Sequence, residues 1–215
     1  ELLLEEALGG ARDGDGLLAL AAAGVRAQVL ADERCCGAPL LAAGRREEFG
    51  ALAALNARRL RESGTRRVIA RCGACAEVLS RDYPAAGAPL DAEVTTLVDV
   101  LAGTGARFVP SAAARLTGCS AAEDEAAARL LPKTKPIPGG PLHEPGRWLG
   151  GAAQRRAVDG VLRRAARKRV GWIVASCPRC ALALRLLGRA GSWRPGAIGV
   201  LGPGDLRTER SEGGQ

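Results

Sequence analysis

Apolar and polar positions alternate along the chain in two rhythms. Short apolar runs at Arg26–Leu30, Arg67–Ala70, Arg115–Thr117 and Gly171–Ala175 have the length of buried strands. Longer Ala/Leu/Arg stretches with helical periodicity lie between them, at Glu1–Leu8, Arg45–Ser63, Ala121–Leu131 and Gln154–Lys168. This alternation predicts an α/β fold of mostly parallel strands covered by helices. The Pro/Gly-rich segment Pro132–Gly151 is expected to be a loop, Gly14-x-Gly16 and Gly103-x-Gly105 to be turns, and Thr208–Gln215 a polar tail.

The pattern also repeats. Val68-Ile69-Ala70-Arg71 leads into Cys72-Gly73-Ala74-Cys75 and a helical run; Trp172-Ile173-Val174-Ala175-Ser176 leads into Cys177-Pro178-Arg179-Cys180 and another. The two pairs are 105 positions apart, each preceded by an Arg-rich amphipathic stretch. Upstream, Gly37, Pro39, Leu40, Gly44 and Arg45 recur 102 positions on as Gly139, Pro141, Leu142, Gly146 and Arg147. The reading is two tandem pseudo-symmetric units, residues 1–101 and 107–206, followed by the tail at 207–215. Their strand carboxyl ends, and with them both cysteine groups, should meet near a shared interface, where open α/β sheets place ligands.

Composition narrows the partners. The 215 residues are 47% hydrophobic and 25% charged, so a packed core is affordable, while 3% aromatics leave it to Ala, Leu and Val. Lys and Arg number 31 against 23 acids, a formal charge of +8. The basic residues are dispersed along helices and stacking aromatics are few, which argues against nucleic acid and for a solvated basic face. The apolar run Gly16–Val25 is about half of what a bilayer span requires, so no transmembrane segment is expected, and association with a membrane would be peripheral. Glu1-Leu2-Leu3-Leu4-Glu5-Glu6 does not read as a secretory signal. Trp148, Trp172 and Trp193 read as core or interface residues.

Seven cysteines carry the chemistry: Cys35, Cys36, Cys72, Cys75, Cys119, Cys177 and Cys180. An odd number cannot all pair within the chain, and adjacent cysteines plus two C-x-x-C pairs suit metal or redox chemistry in a reducing compartment, here expected to be the cytoplasm. Cys35, Cys36, Cys72 and Cys75 supply four soft thiolates, the number a four-iron cluster ordinarily takes. Cys119, Cys177 and Cys180 supply three, and at the 102 offset Cys35 and Cys36 fall on Ile137 and Pro138, so the second site reads as degenerate. It could take a second cluster, zinc, or nothing. His143, the sole histidine, reads first as a surface-loop residue and second as a replacement ligand. Gly37 is expected to allow a tight turn beside the site. No Ser/His/Asp or Cys/His nucleophile pairing is evident.

Cys35-Cys36-Gly37-Ala38-Pro39 with Gly44, followed by Cys72-x-x-Cys75 at a strand end, resembles the cysteine-rich CCG domain. That domain occurs in the cysteine-rich subunit of heterodisulfide reductase and in iron-sulfur subunits of glycolate oxidase, anaerobic glycerol-3-phosphate dehydrogenase and lactate-utilisation proteins. The family pattern is a lone Cys, then Cys-Cys-Gly, then C-x-x-C. The first copy matches it from Cys35 onward; the second keeps Cys119 and its C-x-x-C. The counterpart of Cys119 in the first copy is expected upstream of Glu1, and the chain contains no methionine, in keeping with such an extension. The resemblance implies a 4Fe-4S cluster on Cys35, Cys36, Cys72 and Cys75, non-cubane where the fifth cysteine is present. It also implies an electron-transfer component, or a disulfide-reducing one, rather than a stand-alone enzyme. The partners it implies are a flavin-dependent dehydrogenase, a ferredoxin-type module or a quinone- or disulfide-linked subunit. The rival reading is a zinc-stapled, non-redox module that docks an acidic partner.

Overall fold

The computed structural model describes residues 14–30, 33–105, 113–118, 121–142, 151–190 and 199–201. In chain order these form α1 (Gly14–Ala22), α2 (Ala38–Ala42), α3 (Arg46–Glu62), β1 (Arg67–Ala70), α4 (Gly73–Glu77), a π-helical stretch (Val78–Asp82), α5 (Tyr83–Ala85), β2 (Glu93–Thr96) and α6 (Leu97–Gly103). Then come β3 (Ala113–Thr117), α7 (Ala121–Leu130), β4 (Lys135–Pro138), α8 (Ala152–Arg167), β5 (Trp172–Val174), α9 (Pro178–Ala190) and β6 (Gly199–Leu201). The fold is α/β, with small parallel sheets flanked by helices.

Every strand pairing among the described residues is parallel. β1 pairs with β2, Arg67 opposite Glu93 and Ala70 opposite Thr96, while the second sheet runs β4-β3-β5-β6. Parallel neighbours need a crossover. Helix α4 with the π stretch and α5 supplies it in the first sheet, α7 and then α8 in the second. In both halves a strand delivers a C-x-x-C at its carboxyl end, a helix follows, and the next strand returns beside the first.

Burial periodicity explains the two longest helices. In α8, Gln154, Val158, Val161, Leu162 and Ala165 are buried, spaced as one helical face. In α3 the buried stripe is Phe49, Ala53 and Ala57, and its two alanines bring that helix close to the layer beneath. Acidic Glu47 and Glu48 in the first turn of α3, and Arg59 and Arg61 in the last, complement the helix dipole. Helix α6 starts at Thr96, whose hydroxyl accepts the Asp99 N–H at 3.1 Å.

Three apolar clusters form the core, and two of them cross the middle of the chain. One joins Leu20, Leu97, Val98 and Leu101 to Ala126, Ala127, Leu130 and Val174. A second, built on Ile137, Leu142, Val158, Ile173 and Leu184, also takes in Cys72 from the first half. The third, Cys36, Phe49, Ala53, Val78, Leu79 and Tyr83, belongs to the first half.

Four expectations are corrected. Residues 25–30 form no strand: positions 26–29 are exposed, and an apolar run without a neighbour to hydrogen-bond cannot complete a ladder. The segment Pro132–Gly151 is not wholly a loop, because Lys135–Pro138 forms β4. Prolines are tolerated there because β4 is an edge strand, whose outer side carries no ladder. Gly14 and Gly16 lie in α1, and Gly103 is the last residue of α6. Trp172 is 42% exposed at the start of β5 and is no core residue. Trp148, Trp193, His143, Cys119 and the expected helix at Glu1–Leu8 lie outside the described residues.

Candidate metal centre

Gly37 is where the Cys35-Cys36 segment turns into α2. Its φ is +89°, a left-handed conformation, and a Cβ there would stand 2.8 Å from the Phe49 ring. The turn is held from α3: Asn56 Nδ2 donates to the Cys35 carbonyl at 3.1 Å and to the Tyr83 hydroxyl at 2.7 Å. Tyr83 is fully buried and meets Phe49 edge-on, ring centroids 5.8 Å apart. Burial pushes its phenol up to about 12, so it stays a neutral O–H at any working pH. Asn56→Ala should destabilise the protein by about 1–3 kcal/mol, because it leaves a buried hydroxyl and a loop carbonyl without their donor. A urea midpoint unchanged from wild type would contradict that account.

The other half of the centre comes from the carboxyl end of β1. Cys72 is the N-cap of α4, its sulfur accepting the Cys75 N–H at 3.4 Å. A Cβ at Gly73 would meet the Glu123 carboxylate at 2.7 Å, so a larger residue there would displace that side chain. Glu123 is 2% exposed, reaches over from α7 and accepts the Gly73 N–H at 2.7 Å. Here a residue of the second half closes the first C-x-x-C from outside. Burial first, and then the charges of Cys177, Cys72 and Asp99, push its carboxyl up to about 7, against the opposing Gly73 N–H.

The sulfurs converge. Cys36 Sγ is 3.1 Å from Cys75 Sγ, and the Gly37 N–H points at Cys35 Sγ from 3.5 Å. Side-chain hydrogen bonding links Cys35 to Cys36 and Cys72 to Cys75. The four thiols share their protons unequally. Cys36 is drawn down to about 3, chiefly by hydrogen bonding from Cys35 and then Cys75, with Arg179 adding a favourable charge. Cys75 is pushed up by its bonds to Cys36 and Cys72 and by burial. The shift at Cys36 favours its thiolate, and thiolate is the form that binds metal.

Of the cysteines anticipated for a second site, Cys177 lies against Cys72, to which it is joined by side-chain hydrogen bonding that raises the Cys72 thiol. Cys180 is fully buried, and its sulfur accepts the Leu142 N–H at 3.4 Å. The Leu142 loop is in turn fastened by Gln154, whose Nε2 donates to the Leu142 carbonyl at 2.7 Å. Asn56, Tyr83, Glu123, Gln154 and Arg179 escaped the reading of the sequence. Nothing in their local sequence marks them, because each acts across a distance that only folding closes.

The family model for the cysteine-rich domain CCG matches residues 17–80, a stretch that begins in α1 and ends five residues beyond Cys75. Over this stretch the chain is similar to a CCG cysteine-rich domain. The match takes in Cys35, Cys36, Gly37, Cys72 and Cys75, and with them the turn and strand end just described. No curated protein matches the chain. A CCG domain with its thiols gathered in this way is consistent with metal or iron-sulfur binding. The donor set is soft and anion-ready, which fits iron and zinc alike. Its geometry is that of free thiols: among the described residues no three of His, Cys, Asp and Glu stand where they could hold one ion between them. The 3.1 Å Cys36–Cys75 contact is closer than two thiolates on one tetrahedral ion, roughly 3.8 Å apart for a 2.3 Å metal–sulfur bond, so the CCG sulfurs must spread on loading.

Proposed function

We propose that this CCG domain is an iron-sulfur electron-transfer unit, with Cys35, Cys36, Cys72 and Cys75 holding a 4Fe-4S-type cluster. The observation that carries it is that thiols from two segments meet, Cys36 Sγ lying 3.1 Å from Cys75 Sγ beside an apolar cluster that buries Cys36. A cluster of this type, when bound, takes up and releases single electrons. The chain's own residues do the rest. Gly37 and Asn56 hold the Cys35-Cys36 turn, Cys72 N-caps α4, and Phe49, Leu79 and Tyr83 exclude water from the Cys36 side. Cys35 is exposed and gives the centre an edge toward solvent, where electrons can pass to a partner.

The partner class follows from the same reading. A unit with thiols, no nucleotide motif and no evident hydrolytic pairing needs other subunits to supply and remove electrons. A flavin-dependent dehydrogenase, a ferredoxin-type module, or a quinone- or heterodisulfide-linked subunit fills that role. Its place is the cytoplasm, where thiols stay reduced; among the described residues no helix is long and apolar enough to cross a membrane.

Protein purified without oxygen is expected to contain about four iron and four acid-labile sulfide per chain, with a brown absorption that dithionite bleaches. Zinc without sulfide, or no metal, would overturn the proposal and favour the zinc-stapled docking module.

A further inference from the structure

Basic residues occur along the whole chain, but their excess over acids does not. Residues 151–190 contain ten Lys and Arg against the single acid Asp159, a net +9, which leaves 21 bases against 22 acids, or −1, for the remainder. Helix α8 carries most of that excess. Arg156, Arg163 and Arg167 are exposed and fall within about 40° of one another around the helix axis, opposite the buried Val158, Val161 and Ala165. They make a row roughly 16 Å long.

Arginines elsewhere are matched, Arg61 to Asp91 at 2.9 Å, Arg67 to Glu93 at 3.1 Å and Arg129 to Glu125 at 2.8 Å. The row is not. Among the described residues none of its three arginines makes an ion pair, and Arg163 and Arg167, four apart on the helix, repel each other. The helix dipole favours Arg167 in the last turn and gives no reason for Arg156 near the start. The end of α8 is also unusual. Five other helices stop at a glycine in the left-handed region, Gly24, Gly44, Gly64, Gly87 and Gly105, whereas α8 stops at Arg169 with a φ of +53°. An L-residue is strained there, and strain is retained where the side chain has a use. Arg169 is exposed, and so is Trp172 three residues on.

We infer that the outer face of α8, continued by Arg169 and Trp172, is a docking surface for an acidic protein. Arginine grips a carboxylate through two parallel N–H donors, and Arg and Trp are the residues that anchor protein interfaces. A membrane fits less well, because the apolar side of α8 is already spent in the core and none is left to insert. Nucleic acid fits less well too: among the described residues Trp172 is the one exposed aromatic, and Asp159 beside the row would oppose phosphates. The surface is independent of what the cysteines bind.

Fluorescence anisotropy of labelled poly-L-glutamate, mixed with the full chain at low salt, tests it. Wild type is compared with the triple variant Arg156→Gln, Arg163→Gln, Arg167→Gln and with a charge-matched control, Arg26→Gln, Arg46→Gln, Arg66→Gln, whose arginines are exposed on other segments. Binding should weaken roughly tenfold or more in the α8 variant and less than about twofold in the control, and added salt should weaken the wild-type complex. The urea midpoint of the α8 variant should match or exceed that of wild type, because like charges have been removed. A lower midpoint would mark the row as structural and overturn the inference. Equal weakening in both triple variants, or no binding by wild type, would overturn it as well. So would duplex DNA or phosphatidylserine vesicles that bind through the row more tightly than polyglutamate, which would make the partner a nucleic acid or a membrane.

Discussion

Replacing Gly37 with alanine is expected to cost about 2–5 kcal/mol and most of the iron that the proposed site would bind. Two penalties meet at this position. An L-residue at a φ of +89° carries roughly 1–2 kcal/mol of steric strain. The new methyl would also lie 2.8 Å from Phe49, a ring that is 3% exposed and pinned by its edge contact with Tyr83, so it cannot swing away. Overpacking of that kind typically adds about 1–3 kcal/mol. Against a total stability of about 5–15 kcal/mol the sum is a large share. The same turn carries Cys35 and Cys36, so relief by moving the backbone displaces two of the proposed ligands. Gly44→Ala is the control: its φ is +73° but its Cβ would meet nothing within 4 Å, so it should show the strain alone. Urea midpoints and iron content of the two variants read the difference. Equal losses would show that the Phe49 contact is unimportant.

Glu123→Gln is expected to gain stability over wild type as pH rises, by an amount on the order of 3 kcal/mol between pH 5 and pH 8 in the metal-free protein. The Glu123 carboxyl sits at about 7 in the folded chain against its usual 4.5. Between those values the folded state holds more protons than the unfolded one. The contribution is therefore fully present below the unfolded value and is lost as pH rises through the folded one. Glutamine keeps an oxygen for the Gly73 N–H but never ionises, so it escapes the loss. Thiol titrations common to both proteins cancel in the difference, which is why the comparison and not the wild-type curve is the readout. Urea unfolding of both proteins in chelator at pH 5 and pH 8 measures it. A gap that stays constant would mean that the carboxylate is well solvated where it lies.

The two predictions concern residues of opposite legibility. Gly37 is marked in the sequence, because a glycine after paired cysteines has few reasons to be there other than a turn no side chain can make. Glu123 is one acid among three in the run Glu123-Asp124-Glu125, and by pattern all three belong near the start of a solvated helix, the first two in its first turn. Its neighbours behave differently: Glu125 pairs with Arg129 at 2.8 Å on the surface, and Asp124 accepts the Gly118 N–H at 2.8 Å. The run says only that a helix N-terminus attracts acids. Which acid is buried depends on what α7 packs against.

A similar division holds for the strands. Arg67–Ala70 and Gly171–Ala175 were legible because an apolar run ends on a C-x-x-C, so strand and ligand pair announce each other. Glu93–Thr96 and Lys135–Pro138 were not. One begins with an acid and the other alternates with proline, and both become strands only because a neighbouring parallel strand offers its hydrogen bonds. Residues 25–30 make the reverse point, having the pattern of a strand and no partner. Pairing is a property of two segments, and one segment cannot reveal it.

Sequence alone determined the donor chemistry: soft thiols in adjacent and C-x-x-C spacing, a glycine to turn the chain between them, and α/β elements whose strand ends deliver the cysteines. These features are local, set by bond geometry and periodicity over a few residues. The tertiary structure decided which sulfurs come near one another. The spacing divided the cysteines into a first set and a second, with Cys177 in the second. Folding brings Cys177 into one apolar cluster with Cys72 and sets Glu123 over Gly73. The reason is that burial is collective: the apolar cluster containing Cys72 and Cys177 is completed by residues up to 115 positions apart, from Cys72 to Leu187, and no local pattern encodes a contact at that distance.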